Sequence, residues 1–124
     1  MSLPSISSWT NNMRKTSDLV NEMLTEAKNA WLVAIVVGFE QETKFVFSSQ
    51  GQPLGILNQL VEKGGSPIGL LRFDKEDSTI QGSYRPFGEY AHEEWAQQYL
   101  AGLLENTQEI IGLSQQKQSF PTAY

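Results

Sequence analysis

The sequence predicts an α+β domain: a four- to five-stranded antiparallel sheet with three helices, in the order α-ββ-α-ββ-α. Three observations predict it. Two stretches echo each other thirty-four residues apart, Val36-Val37-Gly38-Phe39-Glu40-Gln41-Glu42-Thr43 and Leu70-Leu71-Arg72-Phe73-Asp74-Lys75-Glu76-Asp77. Each is an apolar run closed by Phe and an acidic turn, followed by a second strand-like run and a helix. Long stretches of helical periodicity lie at both ends of the chain.

Ser7 or Ser8 is placed to cap the first helix. Trp9, Met13, Thr16, Val20, Met23, Ala27 and Ala30 then recur at steps of four and three, with Leu19 and Leu24 widening the stripe. Arg14, Lys15, Asp18, Glu22 and Glu26 fall mostly outside it, and Asn29 ends it. Trp31 to Phe39 is apolar on both faces and rich in β-branched residues, as a central strand requires. Glu40 to Thr43 forms a turn, and Lys44 to Ser48 a second strand with Phe45 and Phe47 on one face and Val46 on the other.

Pro53 fits the first position of a middle helix and Gly64 its stop, with Leu54, Leu57, Leu60 and Val61 on one face and Ile56 beside them. Ile68 to Phe73 is the third strand, Asp74 to Ser78 its turn, and Thr79 to Tyr84 the fourth strand, polar enough to be an edge and closed by Arg85-Pro86. Glu89 to Ile111 reads as one long helix. Glu89, Glu93 and Glu94 sit at its start, and Trp95, Ala96, Tyr99, Leu100, Leu103 and Leu104 form its apolar band. Ile110 and Ile111 resume the band, and Gly112 with Leu113 supplies the stop. Residues 1–8 read as an N-terminal tail, 9–112 as a single domain and 113–124 as a C-terminal tail.

Composition narrows the function. The chain has 124 residues, enough for one domain with its own core, and Phe 6, Tyr 4 and Trp 3 help to supply that core. Asp and Glu number 14 against 9 Lys and Arg, a net charge of −5, which argues against nucleic acid and against an anionic membrane surface as partners. Cysteine is absent, so thiol catalysis, disulfides and thiolate metal sites are excluded, and a cytoplasmic location is compatible. Met1 to Ser8 has neither the basic region nor the apolar run of a secretion signal, and the apolar stretch Ala30 to Phe39 is too short to span a bilayer.

Catalytic patterns are thin. His92 is the sole histidine, and no Gly-x-Ser-x-Gly elbow accompanies it. Glu89 and His92 have the Glu-x-x-His spacing of di-iron sites, but a second such motif is missing. His-Glu-x-x-His fails because position 96 is Ala. Asp74, Glu76 and Asp77 start like a calcium loop, yet Thr79 stands where that loop needs Gly and Arg85 where it needs Glu, so a solvated turn is the expectation. Glu40 and Glu42 read the same way. Ser48 to Gly51 precedes a helix, as anion-binding loops do, but lacks their lysine and glycine pattern. No cofactor or metal is expected.

Core burial is the simplest reading of Trp9, Trp31 and Trp95. The alternative leaves part of the outer helices' apolar bands open to a partner, with Trp9, Trp95 and Tyr99 as the candidate protein interface. Arg72 and Arg85 are each able to pair with a carboxylate or phosphate.

Ile56-Leu57-Asn58-Gln59-Leu60, then Pro67 to Asp74, then a polar strand and a helix with Trp95 and Leu103-Leu104, resembles the C-terminal half of type III secretion chaperone-like domains, the YbjN-type bacterial proteins included. Their pattern is a Leu-Leu-x-x-Asn helix, a hairpin and a final helix. The resemblance covers residues 54–111, and the first half departs from it with two strands where the chaperones usually show three. It implies a non-enzymatic, often dimeric module that binds other proteins. The helix and strand order also resembles roadblock-type domains, interaction modules that add one more strand and form dimers through a shared sheet. The expected function is therefore a chaperone-like or regulatory adaptor that forms a homodimer. A small-ligand-binding domain, or an enzyme with no recognisable motif, is the alternative, and a phage or mobile-element structural protein is a third reading.

Overall fold

The computed structural model describes residues 18–116. Within them a helix over residues 18–29 (α1) leads to β1 (Leu32–Gly38), β2 (Thr43–Phe47), α2 (Pro53–Glu62), β3 (Ser66–Glu76) and β4 (Thr79–Pro86). A 3-10 helix (Gly88–His92) then joins β4 to α3 (Glu94–Leu104) and α4 (Thr107–Ser114). The class is the α+β one that the sequence predicts. The sheet has four strands among the described residues, in the order β2-β1-β3-β4, and every neighbouring pair is antiparallel.

The continuous apolar run in β1 makes it central, and both its faces are buried. Val33, Ile35 and Val37 point to one core with Leu19 and Met23 of α1 and Leu57 of α2. Leu32, Ala34 and Val36 point to the other, with Ala96 and Leu100 of α3 and Ile110 and Ile111 of α4. In β2, Val46 joins the first core and Phe47 the second, with Phe45 packed beside Phe47, which follows strand alternation. The sheet thus lies between α1 and α2 on one side and α3 and α4 on the other. The β1–β3 register slips between Val36, opposite Gly69, and Val37, opposite Pro67. The extra residue, Ile68, turns into the α3/α4 core while Leu70, two residues on, faces α1 and α2.

Pro53 opens α2, and Gly64 follows its last turn at φ 100°. The Gly64 N–H donates to Val61 O at 3.1 Å and the Gly65 N–H to Leu60 O at 2.9 Å, the bond pair of a Schellman ending. Gly64 supplies the left-handed backbone. Gly65 supplies close approach, because a Cβ there would sit 2.6 Å from Val37 Cγ1 and 2.8 Å from Phe39 Cζ.

Several boundaries differ from expectation. The final helix is divided, so the described residues hold four α-helices rather than three. Gly88 takes φ 46°, Glu93 is extended, and α3 starts only at Glu94. Residues 105–106 then interrupt the helix, and Asn106 stands at the N-cap of α4. Gly112 lies inside α4, whose C-cap is Gln115, and Ser114 is buried. The packed body thus extends two residues past position 112. Asp74 and Glu76 belong to β3, so the β3–β4 turn is only Asp77-Ser78, with Asp77 at φ 58°. Short polar residues such as Asp tolerate that region. Of the expected first helix, residues 9–17 lie outside the described ones, as does the 1–8 tail. Leu24 and Leu54, assigned to apolar stripes, are 58% and 45% exposed.

No helix among the described residues is long and apolar enough to cross a membrane.

Candidate functional site

Of the three residues singled out as an interface, Trp9 lies outside the described residues. Trp95 opens α3 and is 50% exposed, so the core does not contain it. Its ring meets Tyr90 of the 3-10 helix edge to face, with centroids 5.5 Å apart and planes at 82°. The Gln97 Nε2–H donates to Ala91 O at 3.0 Å, which ties the 3-10 helix to α3 and holds this aromatic corner in place. Tyr99 follows one turn along α3. Its hydroxyl is hydrogen-bonded to that of Thr43 at the start of β2. Burial raises the Tyr99 phenol pKa above its ordinary value. Trp95 therefore faces solvent, while Tyr99 is half-buried and ties α3, which packs on β4 and β3, to the start of β2.

Trp31 also departs from core burial. It precedes β1, is 43% exposed, and has the Lys75 Nζ 5.2 Å from its ring centroid.

A charged network lies on the opposite side of the sheet. Arg72 of β3 donates through Nε to both Asp74 oxygens, at 3.1 and 3.2 Å, and through Nη1 to Glu26 Oε2 of α1 at 3.2 Å. Arg85 of β4 reaches Glu22 Oε1 at 2.8 Å and Glu26 Oε1 at 4.0 Å. The hydrogen bond that Arg72 donates to Asp74, assisted by the charges of Asp74 and Glu26, raises the Arg72 pKa against the opposing effect of burial. Both arginines suggested for an outside anion are thus paired with carboxylates of the chain itself, and they fasten α1 to β3 and β4. Glu22 and Glu26 lie four apart on one helix face, so both carboxylates meet the strand arginines together.

His92 is exposed at the end of the 3-10 helix. Among the described residues, no group of three or more His, Asp or Glu is placed to hold a metal ion. In the Ser48 to Gly51 loop, Ser48 Oγ accepts the Val33 N–H and Gln50 Oε1 accepts the Phe47 N–H, at 3.1 and 2.7 Å. The Ser48 and Gln50 amides donate to Val33 O and Phe47 O, so these groups serve the strand ends. The described residues include hollows open to solvent. One of about 360 Å³ is lined by Trp31, Leu32, Ser49, Ser114 and Gln115, and one of about 420 Å³ by the β3–β4 hairpin from Asp74 to Gln81.

Comparison with protein-family models, curated proteins and solved structures finds no match.

Proposed function

We propose that the chain is a non-enzymatic protein-binding module, chaperone-like or a regulatory adaptor, that works in the cytoplasm as a homodimer. The observation that carries this reading is the Trp95–Tyr90 corner. A half-exposed tryptophan, oriented by a second aromatic ring and a pinned helix start, is a preorganised anchor of the kind that dominates protein interfaces. The test uses the wild type and Trp95→Ala as baits in a native-host lysate, compared by quantitative mass spectrometry. A partner retained by the first and lost from the second supports the reading, and identical profiles remove it.

The 360 Å³ hollow beside Trp31 favours a second reading, a small-ligand-binding domain or an enzyme with no recognisable motif. Neither His92 nor Arg85 lines that hollow. A thermal-shift screen over nucleotides, metals and organic acids tests it, and a flat response leaves it without support.

A further inference from the structure

The sheet has two edges, and they are protected differently. β2 is five residues long, buries Val46 and Phe47 and carries exposed Lys44. Short length and an outward lysine are devices that stop an edge from pairing with another chain. β4 is eight residues long, and Gln81 to Arg85 are all exposed. It contains no lysine and no acid. Its one charge, Arg85, is turned to Glu22, and its one proline stands at the last position.

We propose that β4 pairs antiparallel with β4 of a second copy, about a twofold axis at Gly82, to give one eight-stranded sheet. The inference rests on the homodimer in the reading above and names its surface. The register follows from the side chains. Ile80, Gly82 and Tyr84 lie opposite Lys75, Phe73 and Leu71, on the α3/α4 side of the sheet. An axis at Gly82 sets Ile80 against Tyr84 of the second copy, twice, a favourable β-branched–aromatic cross-strand pair. It sets Gln81 against Ser83 and Thr79 against Arg85, with no like charges opposed. Moving the axis to Ser83 would face Tyr84 with Gly82 and Ile80 with Pro86, and both apolar pairs would be lost.

Two measurements test the proposal. In sedimentation velocity, the wild type is expected to show a concentration-dependent dimer. Thr79→Lys places a lysine beside Glu76 within the monomer but opposite Arg85 of the second copy, so it is expected to weaken the dimer about tenfold while the thermal melt is kept. Because the chain has no cysteine, the double variant Gln81→Cys/Ser83→Cys reports the register directly. It is expected to give a covalent dimer on oxidation, and Lys44→Cys on the β2 edge is not. A strict monomer at all concentrations overturns the proposal. So does a dimer that is indifferent to Thr79→Lys and yields no cross-link. Partner capture through Trp95 is unaffected by Thr79→Lys, so its loss or survival is read independently.

Discussion

The two hairpins carry the same sequence pattern and use it differently. In the first, Phe39 lies past the end of β1, half-buried, and Glu40 to Glu42 form the loop. In the second, Phe73 is fully buried within β3, and Asp74 and Glu76 continue the strand. The outer strands differ as well, since β2 contributes Val46 and Phe47 to the two cores whereas β4 is mostly exposed. A shared local pattern therefore settles that strands form. Where each strand ends, and how deep it lies, is decided by what packs over it.

The strongest way to break this comparison is to cut one side chain from each outer strand. Phe47→Ala should destabilise the fold by about 3–5 kcal/mol in urea titration, and Ile80→Ala, half-buried, by only about 1 kcal/mol. Equal losses would mean that β4 is as deeply built in as β2. A smaller effect is expected where α2 meets the first hairpin. Gly65→Ala forces a methyl group against Val37, Phe39 and the Leu60 carbonyl and should cost about 1–3 kcal/mol.

Tyr99 sharpens the contrast through pH, because its hydroxyl secures the first hairpin at Thr43, whereas Leu100 and Leu104 of α3 meet the second through apolar packing. Its folded pKa lies above its unfolded value near 10. Its stabilisation is therefore complete below about pH 10 and is lost as the pH rises through the folded value. Tyr99→Phe should cost about 1 kcal/mol at neutral pH through the lost Thr43 bond and should flatten the alkaline fall seen in the wild type. The smallest effect is expected at the second hairpin's ion pair. Arg85 is half exposed, so Arg85→Ala should cost about 0.5 kcal/mol at low ionic strength and less at high salt.

Much of the fold was legible. The central place of β1 followed from its unbroken apolar run, the edge place of β4 from its polarity, and the limits of α2 from Pro53 and Gly64. The division of the last helix was not read. Asn106-Thr107, good helix-start residues in mid-helix, was its signal, and the apolar periodicity on either side masked it. Trp31 and Trp95 look like core residues in composition, and only packing shows that half of each ring is outside. The arginine–glutamate network was half legible: Arg72 and Arg85 stood out as carboxylate binders, but Glu22 and Glu26 lie about 45 to 65 residues away on α1, beyond the reach of any local pattern.

The sheet order β2-β1-β3-β4 also bears on how fast the molecule assembles. Each hairpin closes a short loop, but the central β1–β3 seam joins residue 32 to residue 73 across the whole of β2 and α2. Hairpins form on the microsecond scale, whereas contacts so distant in sequence raise the contact order and slow folding. The seam is also where both cores are completed, so neither hairpin is held until it closes. The late event in refolding is thus expected to be the meeting of two preformed hairpins, and substitutions such as Val36→Ala at that seam should slow refolding more than they speed unfolding.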